Sequence, residues 1–186
     1  MPRALAAAPR ESLIRSLGSL GEHLFQLSQG KDDRAVVPNW EPKSISSETT
    51  FDEDTDDREL LSRTILELSD HVAERLRRDG YRARKVTLKL RYANFSTHTK
   101  QTSLDKYLQT GEEIAEIARG LFSHFPLTRK IRLIGVSTSD FHHDGEGPRQ
   151  LSLFEESNDK EKLSHTVDEI NQKFGIDALR RGSQLL

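Results

Sequence analysis

The chain has no cysteine, one tryptophan and one methionine among its 186 residues. Without cysteine there are no disulfides and no thiolate metal sites, and a cytosolic home is compatible with that usage. No apolar run approaches the ~20 residues of a membrane-spanning helix. The opening MPRALAAAPRE lacks the apolar centre of a secretory signal. Aromatic residues are scarce, at 6%, and hydrophobic residues reach 34% against 31% charged. That balance is polar for one globule and predicts a single real core with long exposed segments. Charge of one sign is lacking too. The formal net charge is −2, so affinity for a polyanion has to come from local clustering.

Such a cluster exists. Between Arg75 and Lys106 stand ten basic residues and two acidic ones, a local +8. At its centre lies VTLKLRYANFSTHTKQTSL, Val86–Leu104, which reads as two strands joined by a tight Ala93-Asn94 turn. Val86, Leu88, Leu90 and Tyr92 alternate with Thr87, Lys89 and Arg91, the period of a half-buried strand. Ser96 to Gln101 continue the polar character. One face can carry a core, and the other offers cations and hydroxyls that suit phosphate oxygens or bulk water equally well.

Around this hairpin the other elements fall into order. Residues 11–29 carry a helical pattern in two pieces, with Gly18 and Gly21 at an interhelical corner and Gly30 as a stop. Residues 31–42, with two prolines, read as an extended linker. KSISSETTF, Lys43–Phe51, reads as a strand. The acidic run Asp52–Asp57 fits the N-terminus of the next helix, where negative charge and capping Asp or Thr are favoured. A hard-cation site, and with it a small metal-dependent phosphoesterase, is the competing reading. Leu60, Leu61, Ile65, Leu68, Val72 and Leu76 predict a helix from about Arg58 to Asp79. A second helix is expected from about Thr110, its cap, to Ser123. A last strand is expected over Lys130–Ser139, with Gly135 as a candidate bulge. Arg132 shares parity with Ile134 and Val136, so a bulge is needed if all are to face sensibly. The fold class is therefore α+β: β-α-β-β-α-β over 43–141, a four-stranded sheet with two helices on one face. His142-His143 read as the start of a polar link. Beyond it lie an apolar island, QLSLF (Gln150–Phe154), and an amphipathic helix over Lys160–Phe174 with Leu163, Val167, Ile170 and Phe174 in line.

KSISSETTF, VTLKLRYANFSTHTKQTSL and IRLIGVSTSDF, in that order and spacing, resemble the little finger domain of Y-family translesion DNA polymerases of the DinB (DNA polymerase IV) type. GKDDRAVVPNWEPKSIS resembles the family's linker from thumb to little finger, and residues 1–30 look like a thumb remnant. QLSLF resembles the peptide that binds the bacterial sliding clamp.

The resemblance implies backbone contacts to primer-template DNA from Lys43 and Ser44, from Thr87, Lys89, Arg91, Thr99 and Lys100 in the hairpin, and from Arg132 in the last strand. It implies clamp contacts from Gln150, Leu151, Leu153 and Phe154 in the tail, 142–186. A basic residue is frequent in the family after GV; here Ser137 stands there, so the grip of the last strand is expected to be weaker. The family's palm and fingers, which hold the catalytic Mg²⁺, have no counterpart here. No cofactor and no catalysis are expected of this chain alone. The implied partners are DNA, the sliding clamp and a separate palm and fingers polypeptide, in a bacterial cytoplasm near the nucleoid. A non-catalytic accessory that recruits partners through QLSLF and the tail helix is the alternative.

Overall fold

The chain runs α1 (Pro2–Ala7), α2 (Arg10–Leu17), α3 (Ser19–Ser28), β1 (Ser44–Thr55), α4 (Arg58–Arg78), β2 (Tyr81–Tyr92), β3 (Thr97–Leu108), α5 (Gly111–Ser123), β4 (Ile131–His143) and α6 (Asp159–Phe174). This computed structural model describes residues 2–38, 41–143, 159–175, 178, 179 and 182. Two compact units divide at residue 41/42.

In the first unit, the joint at Gly18 and Gly21 is a helix corner. A Cβ on Gly21 would lie 2.1 Å from the Leu13 carbonyl oxygen, so only glycine lets α2 and α3 touch there. The Gln29 carboxamide donates to the Ala6 carbonyl and ties in α1, a short helix not expected from the apolar pattern.

In the second unit the sheet order is β1-β4-β2-β3, every neighbour antiparallel. β1 and β2 therefore run parallel with β4 between them, and β3 and β4 run parallel with β2 between them. These are two interlocked split βαβ units, and α4 and α5 are their crossovers. Both helices bury their stripes on one face. Leu61, Ile65, Val72 and Leu76 of α4 and Ile114, Ala118 and Phe122 of α5 meet Ile45, Val86, Leu88, Leu90, Ile134 and Val136 of the sheet. Thr138 is the polar intruder in that layer. Its hydroxyl donates to the Ile45 carbonyl at 3.3 Å, so its burial leaves nothing unsatisfied.

The helix starts follow the sequence. The Asp57 carboxylate accepts from the backbone N–H groups of Glu59 and Leu60. The Thr110 hydroxyl accepts from the Glu113 N–H and donates to its carboxylate. The earlier part of the acidic run is not at the helix start, because β1 continues past Phe51 to Thr55.

Three expectations about β4 and the hairpin are corrected. Gly135 is not a bulge: it stands in regular register between Glu48 and Lys89. The irregularity lies at Arg132, where both ladders step from Leu133 to Ile131, and this is the parity break that the apolar pattern demanded. His142 and His143 are not linker but the end of β4. The two imidazoles pack on Tyr107 and Tyr81, with ring centroids 5.4 and 5.1 Å apart; their stacking partners are far away in sequence and could not be read from HHDGEGPR. The hairpin connection is Ala93–Ser96 rather than a two-residue turn, and Phe95 takes φ +64°.

α6 belongs to the second unit. The Arg77 guanidinium, its side chain only 7% exposed, grips the Asp168 carboxylate and donates to the Gln109 carbonyl at 2.9 Å. On α6 the small Ser164 is buried while Leu163 and Phe174 stay largely exposed. Of the expected apolar line, Val167 and Ile170 are half-buried and only its two ends stand exposed. No helix among the described residues is long and apolar enough to cross a membrane.

Candidate nucleic-acid interface

With one face of the sheet covered, the period of two assigns every other residue to the open face. On β2 these are Lys85, Thr87, Lys89 and Arg91, the row on which the candidate site is built. Cross-strand pairing sets Lys85 opposite Ser103 and Ser139, Thr87 opposite Gln101 and Ser137, Lys89 opposite Thr99 and Gly135, and Arg91 opposite Thr97 and Leu133. On the far side of β4, Ser44, Ser46, Glu48 and Thr50 pair with Ser139, Ser137, Gly135 and Leu133. The result is a sheet of hydroxyls crossed by a line of cations. Glu48 stands among them, beside the central cation of the line.

Most of the expected DNA contacts have a place in or beside this array. Ser44, Thr87, Lys89, Arg91 and Thr99 share the open face. Lys43 is exposed just ahead of β1. Arg132 stands at the bulge and donates to Asp54 at 3.4 Å. Lys100 is the exception. As the neighbour of Thr99 it points to the covered side, opposite Leu88. There its ammonium donates to the His124 carbonyl at 2.7 Å and sits 5.3 Å from the Phe125 ring centre. It lines a cleft at the β3 edge with Tyr92, His98, Thr99 and Arg129. Gln150, Leu151, Leu153 and Phe154 lie outside the described residues.

Lys85 was missed, together with Ser46, Ser103, Ser137 and Ser139. Continuing the β2 alternation two residues back from Thr87 would have found Lys85. It is half-buried, with no ion-pair partner among the described residues.

The local +8 is not a field of that size. Lys106 pairs with Glu113, Arg84 with Asp140 and Arg77 with Asp168, all acids from other segments. The hydrogen bond that the Arg84 guanidinium donates to the Asp140 carboxylate raises its already high pKa. Lys89 pairs with Glu48 at 2.7 Å, reaching across β4. Gly135 makes that reach feasible: a Cβ there would lie 2.9 Å from the Glu48 Cβ. The Arg91 guanidinium donates to the Thr97 hydroxyl at 2.9 Å, which holds it over the sheet. On the open face Lys85, Lys89 and Arg91 thus form a row, with Glu48 paired to its middle member. Among the described residues, no three His, Asp or Glu side chains converge as a metal-ligating group.

A split-βαβ layer, covered by helices on one side and lined with hydroxyls and cations on the other, defines an α+β domain that presents a free sheet. The chain belongs to the impB/mucB/samB family, as the C-terminal region of Y-family, DinB-type polymerases; the family's C-terminal domain matches residues 42–153. Among similar proteins, the DNA polymerase IV of Methanoculleus marisnigri is 41% identical over 151 residues, 81% of this chain and 41% of that one. The DNA polymerase IV of Caulobacter vibrioides is 35% identical over 181 residues, 97% of this chain and 45% of that one. The DNA polymerase IV of Bacillus anthracis is 31% identical over 185 residues, with the same coverage. The chain spans less than half the length of these relatives.

Proposed function

We propose that this chain grips the sugar-phosphate backbone of primer-template DNA as the little finger region of a translesion polymerase. The observation that carries this reading is the register of the open face: Lys85, Lys89 and Arg91 in one row, each opposite a serine or threonine of β3, with Ser137 and Ser139 of β4 on the other side at the Lys85 end. Such groups neutralise or donate to phosphates without reading base edges, so the grip tolerates damaged templates. The reading includes tethering to a bacterial sliding clamp through Gln150, Leu151, Leu153 and Phe154. It also leaves nucleotidyl transfer to a palm and fingers outside this chain. Consistent with that, two members of the acidic run already have partners: Asp57 caps α4, and Asp54 accepts from Arg132.

Anisotropy titrations with primer-template DNA across a salt series test the grip. With roughly three to five phosphates neutralised, log K against log salt should fall with a slope near −0.9 per contact. A slope near zero, or strong dependence on base sequence, overturns it. For the tether, a peptide spanning Pro148–Glu156 should bind a bacterial sliding clamp, and the version with Leu153 and Phe154 changed to Ala should not. Equal binding of the two removes the clamp from the reading.

A further inference from the structure

Phe95 stands in the connection between β2 and β3 with φ +64°, a region that bulky L residues rarely enter. The turn is held on both sides of it. The Phe95 N–H donates to the Tyr92 carbonyl at 2.8 Å, and the Asn94 side chain accepts from both the Ser96 N–H and its hydroxyl. Asn94, next door, is the residue type that tolerates positive φ more readily, yet the phenylalanine takes it. The ring gains no burial in return, since Phe95 is 65% exposed.

What the ring does have is a cation behind it. The Arg132 guanidinium lies 4.7 Å from its centroid, placed there by the β4 bulge and by Asp54. The last ladder pair before this turn is Arg91 with Thr97, the end of the cationic row.

We propose that Phe95, backed by Arg132, is a stacking platform for an unpaired nucleobase at the edge of the DNA gripped by the open face. The proposal rests on that DNA-gripping reading. Every base has a π-face, so stacking is sequence-tolerant. A cation behind the ring draws electron density from it and favours the electron-rich face of a base on the free side.

The test uses the full chain and primer-template DNAs carrying 2-aminopurine at successive unpaired template positions, read by base fluorescence and by anisotropy. The wild type should quench the probe at one of these positions. Phe95→Leu should abolish the quench and weaken binding to DNA with unpaired bases about tenfold, leaving fully paired duplex unaffected. Phe95→Trp should retain both. Phe95→Gly, which relaxes the backbone, should match or exceed the wild type in thermal stability and still fail to quench, so loss of stacking is separated from loss of fold. Unchanged quenching and affinity in Phe95→Leu overturns the platform. Salt-sensitive binding by the wild type with no quench at any position also overturns it, while leaving the grip intact. No binding to either DNA ends both.

Discussion

The two faces of the sheet are made from the same strands, one residue apart. On the covered face of β2, Val86, Leu88 and Leu90 are fully buried. On the open face Thr87, Lys89 and Arg91 remain half-exposed, among hydroxyls contributed by β1, β3 and β4. The covered face is held by apolar area removed from water, which is indifferent to orientation. The open face is held by pairing, since its cations are steadied by Glu48 and Thr97. A step of one residue therefore moves a side chain from one kind of physics to the other, as Thr99 and Lys100 demonstrate.

Truncation at equivalent depth should break that comparison most sharply. Leu88→Ala should cost about 2–5 kcal/mol of stability, because a fully buried side chain leaves a cavity between the sheet and its helices. Thr87→Ala, its neighbour, should stay within about 0.5 kcal/mol. Urea unfolding of the two variants checks this. Comparable losses would mean that the open face is packed as tightly as the covered one.

The same division sorts the DNA contacts. Changing Lys85, Lys89 and Arg91 together to Ala should flatten the salt slope by roughly three contacts' worth, near 0.9 each. Lys100→Ala should leave the slope nearly unchanged, since its ammonium is engaged by the His124 carbonyl on the other side. If Lys100→Ala flattens the slope as much as one open-face substitution does, DNA reaches around the β3 edge and the division by face fails.

A smaller effect is expected at the point where β1, β4 and β2 cross the open face. Gly135→Ala places a methyl 2.9 Å from the Glu48 Cβ, a side-chain atom whose position the β1 backbone fixes. Crowding of that kind should cost about 1–3 kcal/mol and should also disturb the Glu48–Lys89 pair. Unfolding of the variant beside the wild type measures it; no loss would show that β1 can yield.

Much of the fold was legible because its causes are local. The alternation in Val86–Tyr92 and the stripe from Leu61 to Leu76 each depend on residues within a few positions of one another. So do the caps at Asp57 and Thr110. Even the need for a bulge in β4 followed from parity, since Arg132 could not share a face with Ile134 and Val136, although its position did not. The failures have the opposite character. His142 and His143 read as linker because Tyr81 and Tyr107, their stacking partners, lie on other strands. Gly135 read as a bulge because the reason for glycine, the approach of Glu48 across β4, involves a segment far away in the chain. The basic stretch looked like +8 because Glu113, Asp140 and Asp168, which neutralise parts of it, are outside its bounds. Lys100 is a different case: grouping it with Thr99 passes over the alternation that sorts β2, and the structure puts the two on opposite sides of the sheet.

The smallest effect concerns Glu48, an acid set beside the open-face cations. Its carboxylate lies 2.7 Å from the Lys89 ammonium, and both side chains are partly exposed, at 50% and 32%. An ion pair so placed contributes about 0–1 kcal/mol to stability. When a phosphate approaches Lys89, however, the carboxylate both repels the phosphate and competes for the ammonium protons. Glu48→Gln keeps the shape and removes the charge. Stability should fall slightly, and DNA affinity should rise about fivefold at low salt, the equivalent of ~1 kcal/mol for unit charges ~4 Å apart in water. The gain should shrink as salt shortens the screening length toward ~8 Å and below. Anisotropy at low and physiological salt, with urea unfolding in parallel, reads both signs at once. Unchanged or weaker binding by Glu48→Gln would mean that Lys89 takes no phosphate and that the pair serves only to strap β1 to β2 across Gly135.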